Sequence, residues 1–348
     1  MRTGNFQETT AQLLALTDSR IVVFWIGVLL AVLLIAPLVV GNYQITLMVT
    51  VMIAIVGAVG LNLLTGTTGL ISLGQAGFLA VGAYGNAVLM MDYGWPVWLS
   101  LPAGGVAAAL ISLFVGIPSL RLKGLYLAIT TLAFSFIVSH IILYAEPITH
   151  GPNGIFVNGA TLFGYNVHKG APLYYLALAV CVIVVLMVLN IQRSRLGRAW
   201  LAIRDHDIAA KAMGINLTRY KLLAFVISSF IVGVAGGLMS LQIRFINIDV
   251  FALILSIEAL AIIILGGLGS VSGAILGAVF LTLLPETIRG FLNLILEPGS
   301  SFYSTYVYEI RGVVYGAVIV AFLRFQPDGL IGLWRNQKKF WSNWPLAY

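Results

Sequence analysis

Two glycine-rich stretches and one acid are the residues of this chain whose types and spacing could do chemistry. The first stretch is Gly66-Thr-Thr-Gly69-Leu-Ile-Ser72-Leu-Gly74-Gln75-Ala-Gly77, with Gly82 and Gly85 beyond it. The second is Gly266-Gly267-Leu-Gly269-Ser270-Val-Ser272-Gly273, closing at Gly277. Each glycine costs a helix interior about 1 kcal/mol against alanine, so both stretches predict breaks in apolar segments. Inside a hydrocarbon layer, irregular backbone survives only where protein or a wet cavity covers it. Its free N–H and C=O groups can hold a polar or zwitterionic solute there. Close packing of helices through small residues is the competing use of the same glycines. Glu258 lies before the second stretch, in Ser256-Ile-Glu-Ala-Leu-Ala-Ile-Ile-Ile. An ionisable group in an apolar run faces a cavity or a partner: a substrate ammonium, Arg244 or a helix end. The candidate solute pathway is therefore Gly66, Gly69, Ser72, Gln75, Glu258, Gly267 and Gly269.

Other chemistry finds no residues. Gly-Lys never occurs, so there is no phosphate loop, and there is neither an HExxH pair nor a GxSxG turn. The histidines at 140, 150, 168 and 206 lack ligand spacing, and Cys181 stands alone inside an apolar run. No enzyme activity, metal site or cofactor is expected of this chain. The stretch Glu146-Pro-Ile-Thr-His150-Gly-Pro-Asn153-Gly154-Ile-Phe is turn-forming and predicts a loop outside the membrane.

The elements that must position these residues follow from composition. The chain is 60% hydrophobic and 9% charged, with a mean hydropathy of +1.02, where soluble domains carry about 25% charged residues. It is an all-α, polytopic membrane protein by this measure. Apolar runs near 21–40, 45–64, 74–91, 97–118, 124–144, 173–191, 222–241, 251–267, 271–288 and 307–323 predict about ten spans, with the two glycine-rich ones crossing incompletely. The first run is too long for a secretory signal core.

The net charge of +7 is not a nucleic-acid footprint, because its cations sit at the ends of apolar runs. Arg2, Arg20, Arg121, Lys123, the 193–221 segment, Arg324, Arg335, Lys338 and Lys339 all fall on one side. The positive-inside rule makes that side cytoplasmic, with both termini on it. Tyr93, Trp95 and Trp98 would anchor the outer interface, and Trp334, Trp341 and Trp344 the inner one.

Seven of the nineteen Lys and Arg residues lie in the single interruption Arg193–Lys221. Asp207 is placed to cap a short helix there and Gly214 to end it. Asp207 and Lys211 stand in the favourable i,i+4 order, while Ile208 and Ala212, continued by Ile215, make one apolar face. Such a helix could lie on anionic lipid, but its short side chains fit a protein groove better. Asn216-Leu217-Thr218 is a formal glycosylation triplet, set aside because it falls on the cytoplasmic side.

These residues also carry a resemblance. "GRAWLAIRDHDIAAKAMGINLTRYKLLAFVISSFIVGVAGGL", "GLNLLTGTTGLISLGQAGFLAVGAY", "GLYLAITTLAF", "GPNGI", "SIEALAIIILGGLGSVSGAILGA" and "LLPE" are similar to blocks of the LivM-type permeases of branched-chain amino acid ABC importers. They occur in the family's order and cover most of residues 57–286. The resemblance implies one transmembrane permease domain over 1–348, with a membrane region at 21–323, a coupling loop at 193–221 and a cytoplasmic tail at 324–348. It implies a bacterial inner-membrane importer of Leu, Ile or Val working by alternating access. A LivH-type second permease, two ATP-binding subunits that hydrolyse the ATP, an extracytoplasmic substrate-binding protein and membrane lipid would be its partners. Urea, short amides or other amino acids are alternative cargoes, and an ion-coupled carrier is an alternative class. Ala209-Ala210 with Gly214 resemble the family's "EAA" coupling loop, although no Glu adjoins the alanines. Arg204, Asp205, Asp207, Ala209, Ala210, Lys211 and Gly214 are thus the implied ATPase-coupling residues. Gln75 stands where many relatives carry His.

Overall fold

The computed structural model describes residues 20–119, 122, 124–158, 160–162, 165, 166, 170–295, 301–326, 329–334 and 337. Arg2, Arg121, Lys123, His168, Arg335, Lys338, Lys339, Trp341 and Trp344 lie outside the described residues.

Ten apolar helices match the ten predicted runs. They are α1 (Arg20–Val39), α2 (Asn42–Asn62), α3 (Gln75–Met91), α4 (Val97–Ser119) and α5 (Leu125–Tyr144). After the short α6 (Glu146–Thr149) come α7 (Ala171–Arg193), α8 (Arg195–Asp205), α9 (Asp207–Ala212), α10 (Leu217–Ile243), α11 (Leu253–Gly266), α12 (Val271–Ile295) and α13 (Ser301–Phe325). Of these, α8 and α9 belong to the charged interruption and the other ten long helices are apolar. Among the described residues, six are long and apolar enough to cross a membrane. The helices beside the two glycine-rich segments, α3 and α11, are short. With 17 and 14 residues, they reach only ~25 and ~21 Å at 1.5 Å per residue, short of a ~30 Å hydrocarbon layer.

The core forms where small residues let backbones meet. The face of α10 that carries Gly233 and Gly236 lies against α3 and α4, at Gly82, Leu79 and Gly105, with no room for a Cβ at Gly82 or Gly236. Gly85 meets Gly104 in the same seam. Here the packing use of glycine holds, and these positions are not breaks. Buried polar side chains complete the seam. Asn86 Nδ2 donates to Ser240 Oγ at 2.9 Å and Asn86 Oδ1 accepts from Ser100 Oγ at 2.8 Å. Ser228 Oγ donates to the Gly60 carbonyl at 2.7 Å. By contrast, Phe24, Trp25 and Leu38 on α1, Phe114 on α4 and Phe136 on α5 stay exposed, as lipid-facing side chains do.

At the end opposite the 193–221 segment, the predicted loop is partly ordered into short strands. β1 (Ile155–Phe156) pairs antiparallel with a strand at Phe245–Ile246 just after α10. Thr161–Leu162 pairs with Tyr165–Asn166. The hydrophobic runs carried no signal for these, because two-residue strands have no periodicity to detect. Asp92 and His150 stand 3.6 Å apart at this end. Among the described residues, no group of three His, Cys, Asp or Glu could hold a metal.

Candidate translocation site

The first glycine stretch positions Gln75. At its end α2 widens into a π turn, Leu63–Thr67, and the chain then runs without helix to Gly74. π turns displace carbonyls from the regular ladder and recur at functional sites. Ser72 Oγ accepts from Gly74 N at 3.2 Å, and Leu73 N donates to Thr131 Oγ1 of α5 at 2.9 Å. These bonds hold the non-helical run in place and start α3 at Gln75. Gln75 is buried, and its Nε2 donates to the Gly57 carbonyl of α2 at 3.2 Å. Ala76 N donates to Ser256 Oγ at 2.9 Å, which ties the start of α3 to α11 two positions before Glu258.

Gln75 and Glu258 therefore line one cavity of about 410 Å³ between α2, α3, α10 and α11. Ile53, Leu79, Leu255 and Ile262 make its apolar wall. Thr46, Thr50 and Gln242 make its polar side, and Gln242 Nε2 donates to Thr50 Oγ1 at 2.6 Å and the Thr46 carbonyl at 3.2 Å. Such a space offers an apolar side chain one surface and the charged ends of a zwitterion another. Glu258 is half-buried and also lines a second cavity, of about 460 Å³, beside α12 and α13. There its Oε1 accepts from Tyr315 Oη at 3.3 Å. Tyr315 on α13 takes the place that the sequence offered to Arg244 or a helix end.

The remaining pathway candidates gather elsewhere, at the 193–221 end. Gly66 of the first break and Gly269 of the second approach so closely that a Cβ on Gly66 would strike the Gly269 amide. Asn62, buried at the end of α2, bonds the second break twice. Its Oδ1 accepts from Gly269 N at 2.9 Å and its Nδ2 donates to the Ser270 carbonyl at 3.0 Å. Arg204 donates to the Gly66 carbonyl. Gly267 is buried with φ +117, and Gly329 lies against its backbone, so part of the predicted tail covers the second break. The seven pathway candidates thus divide: Gln75 and Glu258 at the cavity, Gly66, Gly267 and Gly269 at the joint, with Gly69 and Ser72 in and beside the first break.

The 193–221 segment holds two helices, not the one expected. α8 is capped by Ser194, whose Oγ accepts from Leu196 N at 3.1 Å. Its buried Trp200 donates from Nε1 to the Tyr220 carbonyl of α10 at 2.8 Å. α9 begins at Asp207 as its first helical residue. His206 occupies the cap position without a side-chain bond, so Asp207 complements the helix dipole instead of capping. Gly214, at φ +85, ends α9 as expected. Gly214 N bonds the Lys211 carbonyl and Ile215 N the Ala210 carbonyl, at 3.0 and 3.1 Å, the paired bonds of a Schellman turn. That turn folds Ile215 back toward the core, so it does not continue the face of Ile208 and Ala212. Ala210 is only 4% exposed, whereas Ile208 is 77% and Met213 84% exposed. Ala209 and Lys211 are exposed beside them, as are Arg204 and Asp205 at the end of α8. Asn216 of the formal glycosylation triplet caps α10 through Arg219 N at 3.1 Å.

Residues 43–323 match the family model described as branched-chain amino acid transport system / permease component. The chain belongs to this permease family. It is 34% identical over 341 residues to the high-affinity branched-chain amino acid transport system permease protein LivM of Salmonella typhimurium, covering 90% of this chain and 76% of that one. The LivM protein of Escherichia coli K12 is 34% identical over 327 residues, covering 87% and 73%. The probable LivH protein of Methanocaldococcus jannaschii is 28% identical over 306 residues, covering 82% and 90%. A solved structure, PsaBC from Streptococcus pneumoniae in complex with Fab, superposes with a TM-score of 0.43 at 14% identity, over 86% of this chain and 97% of that one. That is too distant for any residue to be matched. The chain is a LivM-type permease and a multi-pass membrane protein.

Several of the residues that line the candidate site carried no signal in the sequence. Thr46, Thr50 and Gln242 sit in apolar helices as ordinary polar interruptions, and Tyr315 is one of fourteen tyrosines. Asn62 alone could have been noticed, as a primary amide within the long apolar stretch that leads to the first glycine break. Another cavity, of about 890 Å³ between α3, α4 and α5, is lined by side chains such as Val88, Phe114 and Ile137. It holds almost nothing polar for a charged solute and lies away from Gln75 and Glu258.

Proposed function

We propose that this chain is the membrane-spanning permease subunit of an ATP-driven ABC importer for leucine, isoleucine and valine. The observation that carries this is the 410 Å³ cavity, which joins an apolar wall from Ile53, Leu79, Leu255 and Ile262 to the polar groups of Gln75 and Glu258. A branched apolar side chain suits the wall, and Glu258 suits a substrate ammonium. The names of the relatives, all branched-chain amino acid permeases, support the same cargo. This chain lacks a phosphate loop, so ATP would be hydrolysed on two partner subunits seated against Ile208, Ala209 and Met213. A LivH-type second permease and an extracytoplasmic binding protein would complete the importer, in the bacterial inner membrane with the 193–221 segment and both termini cytoplasmic. Alternating access would then expose the cavity to each side in turn.

The test is uptake of labelled leucine by cells that lack this gene and by the same cells complemented with it. Complementation should restore uptake, and unlabelled isoleucine and valine should compete while urea and short amides do not. Competition by urea instead of the amino acids would replace the cargo. Uptake that survives deletion of the ATP-binding partners would replace the class with an ion-coupled carrier.

A further inference from the structure

We propose that Arg204 is a latch, a positioning residue that holds the two glycine breaks closed until the 193–221 segment moves. It sits in the last turn of α8, and its guanidinium donates to the Gly66 carbonyl. That carbonyl lies in the π turn, outside the regular α-helical ladder. The glycines on both sides form the seat. A Cβ at Gly69 would stand 3.4 Å from Arg204 Cγ, and one at Gly269 would stand 2.5 Å from its guanidinium nitrogen. Because Asn62 bonds Gly269 and Ser270, the two breaks form one joint at this end. Arg204 is the contact between that joint and the tip of α8.

The other flank of Arg204 is exposed, beside the exposed Ile208 and Met213 of α9. One side chain thus touches both the joint and the surface a partner would press. Trp200, one turn earlier, is fully buried and bonded to the Tyr220 carbonyl. It pins α8 to α10, so a push on α9 turns the end of α8 about Trp200 and draws the guanidinium off Gly66. Gln192 at the end of α7 donates to Thr67 Oγ1 at 3.1 Å, which keeps the first break in register while Arg204 leaves. A charge-assisted bond to a backbone carbonyl is strong enough to hold a two-state joint and weak enough to be displaced.

The inference rests on the permease reading, and its test does not depend on cargo. Cys181 is the chain's single cysteine, so Cys181→Ser with Ser72→Cys gives one thiol, at a buried position beside the first break. Membrane vesicles of cells making the whole transporter are treated with a charged maleimide from each side without nucleotide. Arg204→Ala should speed labelling from the 193–221 side about tenfold, the shift expected when one charge-assisted bond no longer favours the closed state. Arg204→Lys, which keeps a charge but not the planar fork, should fall between. Equal labelling rates in the parent and both variants would overturn the latch. Should Arg204→Ala fail to insert, the lysine variant decides by the same comparison. Leucine uptake absent from the unsubstituted transporter, with the labelling differences intact, would remove the cargo and leave the latch standing.

Discussion

Asn62 and Gly269, 207 positions apart in the chain, are joined by a hydrogen bond of 2.9 Å from the glycine amide to the asparagine Oδ1. The same side chain gives its Nδ2 to the Ser270 carbonyl. It thereby replaces, on one side of the joint, the helix partners that the second break has lost. A primary amide can do this because it carries donor and acceptor side by side, like a strand edge.

Asn62→Ala should therefore leave an amide and a carbonyl without partners in a partly buried joint. The expected cost is about 2 kcal/mol, the low end of about 1–3 kcal/mol for each of the two orphaned groups because the joint is only partly buried. Thermal unfolding of the detergent-solubilised transporter reads it as a lowered midpoint, and an unchanged midpoint would show that other groups satisfy the break.

Glu258→Gln should raise the KM for leucine uptake more than tenfold if the carboxylate meets the ammonium, because a charge-assisted bond is lost. Tyr315→Phe, which removes only the 3.3 Å bond to Glu258, should change KM by less than about threefold. Equal effects from both variants would assign Glu258 a structural role.

Ile208→Asp with Met213→Asp should abolish co-purification of the ATP-binding subunits while the permease still inserts. Both side chains point to the outside, so their replacement disturbs no core contact. Ala210→Asp would be a poorer probe, since that position is buried and the change would damage the turn itself. Retained co-purification of the double variant would move the docking surface elsewhere.

Gly82→Val should destabilise the transporter by about 3 kcal/mol or more, through overpacking of the α3–α10 seam. Gly27→Val should be nearly neutral, because nothing lies within 4 Å of a Cβ at Gly27. Protease resistance in native membranes compares the two, and equal resistance would contradict the close approach at Gly233.

Much of the architecture could be read from the residue order. Ten apolar helices stand where ten apolar runs were predicted, and Gly214 ends α9. Both shortened helices stop or start at the glycine stretches. The geometry of the candidate site was legible in part. Gln75 and Glu258 do share a cavity, but Thr46, Thr50 and Gln242 on its rim come from other helices and have no spacing relation to them. Asp207 was misplaced by one position, because His206 takes an extended conformation that its residue type does not predict. Helix α8 was missed because, with only eleven residues in a basic setting, it looks like loop.

The sequence by itself determined what depends on neighbours along the chain: membrane class, number of apolar helices, where helices break, and where a charged segment interrupts them. Hydrophobic transfer and backbone propensity act over a few residues, so they leave their record in composition and spacing. Only the tertiary structure decided that Gly82 and Gly85 pack while Gly66 and Gly269 meet as broken ends. It also turned Arg204 inward onto Gly66, 138 positions away. Contacts of that range depend on how the helices are arranged around one another, and no local pattern of residues encodes the arrangement.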